Sequence, residues 1–145
     1  MAMKTTRGRV AIAVIVSVLV LVMTAIYIPG ILTADKSKKE AMAISASAEI
    51  RNAQTTFRAR MKDSRYGTIK ELESSGLINA ALESGRAGGY QFEIQVRDSS
   101  YEVFATPEKH SDCHGCRSFY MREAGKIHGE GKNGEKAKES DPILY

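Results

Sequence analysis

The chain has 145 residues, of which 43% are hydrophobic and 26% are charged, and its formal net charge is +4. A chain of this size can form one modest core, which excludes two domains or a typical large catalytic fold. Three basic residues lie at or before Arg9, and every acidic residue lies after it. The chain after Arg9 therefore has 18 basic and 17 acidic residues. A nucleic-acid interface requires a concentrated basic surplus, and this near-neutral remainder predicts no nucleic-acid partner.

The first element is an apolar run of 23 residues, from Val10 to Leu32, that contains no charged residue. It is long enough to cross a bilayer, whereas the apolar core of a secretory signal has roughly 7 to 15 residues. Lys4, Arg7 and Arg9 precede it, which predicts a cytoplasmic N-terminus by the positive-inside rule. We therefore expect a single-pass inner-membrane protein, in contact with lipid, whose C-terminal domain is periplasmic or extracellular.

The helix is predicted to continue to about Lys62, because apolar residues recur beyond the run at intervals of three and four. That stripe consists of Ala43, Ala46, Ile50, Ala53, Phe57 and Met61. A proline inside a membrane helix bends it without ending it, since neighbouring groups can satisfy the lost hydrogen bond. The sequence thus predicts one long helix from about Val10, kinked at Pro29, with a transmembrane half and an amphipathic half.

The rest of the chain predicts a short helix followed by antiparallel strands. Thr68-Ile-Lys-Glu71 fits a capping box at the start of a helix that ends near Gly76. Alternation of apolar and polar residues then indicates strands with one buried face. Four strands are predicted, at 90–96, 101–105, 117–122 and 127–128. The expected fold class is α+β, with the long helix packed on a small antiparallel β-sheet.

These patterns divide the chain into four parts. A basic cytoplasmic leader (1–9) precedes the transmembrane helix (10–32), and a globular domain (33–128) includes the amphipathic half-helix. The last part (129–145) is charged and glycine-rich at its start and shows no periodicity. Because such a composition cannot bury much apolar surface, we expect a flexible C-terminal tail.

The most specific local chemistry is Cys113-His-Gly-Cys116. Covalent haem attachment requires histidine directly after the second cysteine, where this chain has Arg117. A thioredoxin-like pair would place its first cysteine at a helix N-terminus, whereas this pair lies in a loop leading into a strand. A disulfide between Cys113 and Cys116 fits an exported domain best, and no cofactor is expected.

A metal site in the same loop is the alternative. Cys113 and Cys116 could bind zinc together with two of the three histidines, of which His110 and His114 are nearest in sequence. Structural zinc sites normally use two separated ligand pairs, so one cysteine pair with loosely spaced histidines is a weak pattern. No pair of carboxylates near a histidine or serine and no phosphate-binding glycine loop is present, so an enzyme is not expected.

Several segments together resemble the type IV pilin and type II secretion pseudopilin superfamily. They include Ile28-Pro-Gly-Ile-Leu32, Glu40-Ala-Met-Ala-Ile44, Ala53-Gln-Thr-Thr-Phe57, Gly89-Tyr-Gln-Phe92, Ala105-Thr-Pro107 and Arg117-Ser-Phe-Tyr120. The resemblance covers almost the whole chain. It implies a pilin-like fold and a structural subunit of a type IV pilus or type II secretion-type filament. Such a subunit would oligomerise with copies of itself or with other pilin-like subunits through the N-terminal helix.

The leader departs from the family pattern. The resemblance implies cleavage between Gly8 and Arg9, but prepilins usually carry phenylalanine after the glycine and a glutamate four residues later. Here Arg9 and Ala13 occupy those positions. The alternative function is therefore a membrane-tethered exported domain that does not assemble and binds a metal or redox partner through the Cys113–Cys116 loop.

Overall fold

The computed structural model describes residues 4–79, 82, 84–97, 99–108 and 116–144, without the side chains of 4–11 and 24–33. Two compact units are present, Met1–Asp35 and Lys36–Tyr145. The helices are α1 (Lys4–Arg60) and α2 (Ile69–Ser74). The strands are β1 (Arg86–Ala87), β2 (Tyr90–Val96), β3 (Tyr101–Pro107), β4 (Ser118–Arg122) and β5 (Ile127–Glu130).

The fold class needs one correction, at the N-terminal half of α1. Across the residues that the structure describes, no helix is both long enough and apolar enough to cross a membrane. The predicted transmembrane half of the helix is therefore wrong, and the single-pass placement does not fit.

In the second unit, the part of α1 from Lys36 to Arg60 packs its apolar stripe into the core. The predicted stripe is confirmed: Ala43, Ala46, Ile50, Ala53 and Phe57 are buried, and Met61 packs partly against them. Their spacing of three and four residues places them on one side of the helix. The other side of this segment is polar and exposed, as expected of a helix that covers one layer of a small domain.

The described strands form one antiparallel sheet in the order β1-β2-β3-β4-β5. β2 and β3 pair along seven residues, from Tyr90 opposite Pro107 to Val96 opposite Tyr101. Side chains alternate between the two faces, so Tyr90, Phe92, Tyr101, Val103 and Ala105 join the same core as the α1 stripe. The four predicted strands are therefore confirmed, with boundaries shifted by two residues or fewer.

Strand β1 is the element that the sequence pattern did not predict. It has two residues and pairs with Tyr90 and Gln91 across a tight turn. Gly88 and Gly89 both have positive φ in this turn, which favours glycine. A Cβ atom on Gly88 would also lie 2.8 Å from Cβ of Met42. The turn therefore requires glycine for its backbone and for its close approach to α1.

The short helix α2 confirms the predicted capping box. The Thr68 hydroxyl accepts a hydrogen bond from the Glu71 N–H, and the Glu71 carboxylate accepts one from the Thr68 N–H at 2.8 Å. These two bonds satisfy backbone donors that the first turn of a helix leaves without partners. Leu72 points from this helix into the core and is fully buried.

Residues 129–145 were predicted to form a flexible tail, but 129–130 belong to β5 and 131–144 contact the sheet. The Gly129 N–H donates to the Pro142 carbonyl at 3.0 Å, and the Leu144 N–H donates to the Ile127 carbonyl at 2.8 Å. Ala137 is fully buried. Backbone bonds to β5 and a buried alanine help to hold this segment, and neither feature produces a periodic sequence pattern.

Candidate functional site

The candidate functional site is the apolar surface of α1 between residues 12 and 23. Ten large apolar side chains of this stretch have exposed fractions between 49% and 68%. They are Ile12, Val14, Ile15, Val16, Val18, Leu19, Val20, Leu21, Val22 and Met23. A soluble surface helix normally shows an apolar stripe on one side only. This stretch is apolar on all sides, so it is suited to burial among other apolar groups.

The segment has little polar surface to offer water. The Ser17 hydroxyl, its one strongly polar side chain, donates back to the Ala13 carbonyl at 2.9 Å. A serine bonded to its own helix adds a small polar group without interrupting the apolar surface. Contiguous exposed apolar patches of this kind mark sites of contact with other helices or with lipid.

An ion pair between a buried carboxylate and a half-buried arginine fixes the other part of α1 to the sheet. The Glu40 carboxylate accepts three hydrogen bonds from Arg117, from the main-chain N–H at 2.9 Å, from Nε at 3.1 Å and from Nη2 at 2.7 Å. Glu40 is only 5% exposed. A carboxylate is tolerated in such a place when several donors satisfy its oxygens, as they do here.

The residues around this pair strengthen it. The Tyr90 hydroxyl donates to the Arg117 carbonyl at 2.9 Å, so a core tyrosine holds the arginine from its other side. Burial, and then the nearby Glu40 charge, raise the pKa of Tyr90 well above its usual value. Cys116, directly before Arg117, is buried and disulfide-bonded. The disulfide thus lies next to the arginine that contacts α1.

A second polar contact joins α1 to the chain that follows it. The Gln54 side chain accepts from the Gly67 N–H at 2.8 Å and donates to the Gly67 carbonyl at 2.6 Å. Gln54 is fully buried. A Cβ atom on Gly67 would lie 3.1 Å from the Phe57 ring, so the glycine lets the chain approach the helix closely. This amide pair positions the segment that leads into α2.

Most of the sequence-predicted site residues lie outside what the structure describes. Gly8, Arg9 and Pro29 fall within α1, but their side chains are not described, so the leader cleavage and the kink stay predictions. His110, Cys113 and His114 lie in the stretch 109–115, which is not described at all. The pairing of Cys113 with Cys116 therefore stays a prediction, although Cys116 itself is disulfide-bonded.

The described residues offer few candidates for a metal or catalytic site outside α1. In the described ranges, no group of three or more histidine, cysteine or acidic side chains is arranged to hold a metal ion. A disulfide-bonded Cys116 has no thiolate to offer a metal, which weakens its candidacy as a ligand. A cavity of about 400 Å³ lies beside α1, lined by Ser45, Glu49, Asn52, Thr56 and Leu77 among others. It contains one carboxylate and no histidine or cysteine.

Glu40 and Arg117 are the residues that sequence reasoning did not single out as a pair. Glu40 stands three residues before Ala43, at the start of the apolar stripe, so a carboxylate on the buried side of the helix was a usable signal. Its partner could not be identified in this way, because Arg117 is 77 positions away and the contact depends on how the sheet meets the helix.

No protein-family model matches the chain, and neither a curated protein nor a solved structure matches it significantly. Function is therefore inferred from the residues and their geometry.

Proposed function

We propose that the protein is a structural subunit of a type IV pilus or type II secretion-type filament and has no enzymatic role. Residues 12–23 of α1 would assemble it with copies of itself or with other pilin-like subunits. The observation that carries this proposal is the set of ten large apolar side chains exposed on all sides of this stretch. Neighbouring helices of a filament, or lipid before assembly, would cover them.

The packing of the second unit supports an assembly surface in this stretch. The apolar stripe of α1 from Ala43 to Phe57 is already covered by the sheet of the same chain. The exposed side of this segment carries polar residues such as Ser45, Asn52 and Thr56. Apolar burial against other subunits is therefore available in residues 12–23, where the large side chains remain exposed.

We further propose that the sheet domain lies in the periplasm or outside the cell. The disulfide at Cys116 supports this placement, because disulfides form and persist in oxidising compartments. The bond also restrains the chain next to Arg117, so it contributes to the contact between the sheet and α1. The pseudopilin resemblance and the disulfide both support the proposed export of this domain.

An assembly experiment tests the role of residues 12–23. The full chain is purified in detergent, the detergent is removed, and the product is examined by sedimentation and electron microscopy. We expect filaments or defined oligomers from the wild type. Leu19→Glu should reduce the assembled fraction by at least about tenfold, because a charge among packed apolar helices costs about 2–3 kcal/mol.

Ala59→Glu is the matched control, since Ala59 lies on the same helix and is exposed in the second unit. It should leave assembly unchanged. Equal assembly of the Leu19→Glu variant and the wild type would contradict the proposal, and so would shapeless aggregates from the wild type.

Processing provides a separate test. Mass spectrometry of the protein isolated from its own cells gives the mature N-terminus. A chain that begins at Arg9 supports a pilin-like subunit, whereas an intact chain that begins at Met1 argues against prepilin processing.

A further inference from the structure

The outer edge of β2 is open beyond its first residues. β1 covers only Tyr90 and Gln91, and the next contact is the Phe92 N–H, which donates to the Gly85 carbonyl at 2.6 Å. In the described sheet no strand lies beside residues 93–97 on this side. This stretch is therefore an edge strand, even though β2 is the second strand in the order.

The direction of the backbone N–H and C=O groups determines which residues of this edge can bond to another strand. Along an antiparallel strand, successive residues point their N–H and C=O alternately to either side. Phe92 bonds away from β3, and the Arg97 N–H bonds towards it, to the Ser100 carbonyl at 2.9 Å. Ile94 and Val96 therefore direct their backbone groups outward, where no described residue bonds to them. Backbone groups directed outward from an edge strand can pair with another strand.

A cavity lies at the Val96 end of this edge. A cavity of about 410 Å³ is lined by Asp63, Arg65, Tyr66, Val96 and Arg97. The side chains of Ile94 and Val96 pack partly against the core, so the strand is held in place for pairing. A strand added beside β2 would stop at Gly85 at one end and would meet this cavity at the Val96 end.

The side chains of the edge are self-complementary. An antiparallel partner with the same sequence, centred on Gln95, would place Ile94 opposite Val96 of the second copy. The same register sets Glu93 opposite Arg97 of the second copy, and the two-fold axis repeats both pairs. Opposite charges and apolar residues directly across an antiparallel pair stabilise it. An isologous contact requires this symmetry of the pattern about one residue.

The two charged residues are available for such pairs. Glu93 accepts from Lys136 at 2.6 Å, and Arg97 contacts Glu102 at 3.3 Å. The Arg97 side chain is 66% exposed and that of Glu93 is 47% exposed. Exposed ion pairs are weak, and a carboxylate can accept from two cations at once. Neither internal contact therefore prevents a charge pair across the edge.

We propose that two copies of this chain pair their β2 edges antiparallel about Gln95, with backbone hydrogen bonds between Ile94 of each copy and Val96 of the other. The contact joins two sheets into one and is independent of assembly through residues 12–23. It closes with two-fold symmetry, so it links subunits in pairs.

Disulfide cross-linking of the full chain tests the register. In Gln95→Cys, the two new thiols face each other across the axis, and copper phenanthroline with oxygen oxidises them to a disulfide. Gln91→Cys is the matched control, because Gln91 is exposed on the same face of β2 but its edge is covered by β1. We expect covalent dimers from Gln95→Cys and at least about tenfold fewer from Gln91→Cys.

Charge exchange tests the pairing itself. In the Gln95→Cys chain, Glu93→Arg places like charges opposite each other twice and should slow dimer formation about tenfold. Adding Arg97→Glu reverses both pairs and should restore the rate. Thermal unfolding of each variant checks that the fold is intact. Equal cross-linking at positions 91 and 95, or a rate that Glu93→Arg leaves unchanged, would overturn the proposal.

Discussion

Arg117 surrounds the carboxylate of Glu40 with three donors, although 77 positions separate the two residues. Because one donor is the Arg117 main-chain N–H, the contact fixes the backbone before β4 as well as the side chain. The Tyr90 hydroxyl donates to the carbonyl of the same arginine, and the disulfide-bonded Cys116 directly precedes it. This pair is therefore a polar link between α1 and the segment that leads into β4.

Arg117→Met should lower the free energy of unfolding by about 2–4 kcal/mol, because it leaves a buried carboxylate with one donor instead of three. Urea unfolding monitored by circular dichroism measures the change. Arg86→Met is the matched control, since Arg86 meets Glu108 at 3.8 Å with a side chain that is 63% exposed. It should cost less than about 0.5 kcal/mol. Equal costs for the two variants would show that the Glu40 contact adds no more stability than an exposed ion pair.

Gln54→Leu should lower the free energy of unfolding by about 2–4 kcal/mol, because the Gly67 N–H and C=O would then be buried without partners. Leucine has a similar volume, so little of this loss comes from a cavity. Gln91→Leu provides the comparison at an exposed position and should change stability by less than about 0.5 kcal/mol. The same urea experiment measures both, and a neutral Gln54→Leu would contradict the role of the amide pair.

Gly129→Ala should loosen the segment 131–144 from the sheet. The added Cβ atom would lie 2.6 Å from Cδ1 of Leu144 and 2.9 Å from the Phe119 ring. We expect a loss of about 1–3 kcal/mol and faster proteolysis of this segment. Gly131→Ala is the control, because no atom lies within 4 Å of its added Cβ. Cleavage of both variants at the same rate would show that close packing at Gly129 does not hold this segment on the sheet.

Acid should weaken the N-terminal cap of α2. A hydrogen bond from Arg65, and then one from the Thr68 N–H, lower the pKa of Glu71 from 4.5 to about 2. A lowered pKa stabilises the fold above the unfolded value, and this stability is lost as the pH falls from 4.5 towards 2. Both side chains are more than a third exposed, so the loss is about 1 kcal/mol.

The comparison of wild type with Glu71→Gln isolates this contribution. The difference in their free energies of unfolding should shrink across the same pH range, since glutamine does not titrate. A difference that stays constant from pH 5 to pH 2 would exclude the cap as its source.

Local patterns determined much of the second unit. The three- and four-residue spacing of Ala43, Ile50 and Phe57 identified the buried side of α1, and the alternation in 90–96 and 101–105 identified two paired strands. Thr68 and Glu71 marked the start of α2. These features depend on neighbours within a few residues, so the periodicity of a helix or strand is sufficient to predict them.

Only the tertiary structure decided the rest. The sequence alone established an uncharged apolar run and a nearly neutral domain of mixed helix and strand, but the membrane-spanning half that it predicted did not hold within the described residues. The partners of Glu40 and Gln54 lie far along the chain, and residues 131–144 contact the sheet partly through backbone groups. Such contacts have no sequence period, because they arise only when distant elements are packed against one another.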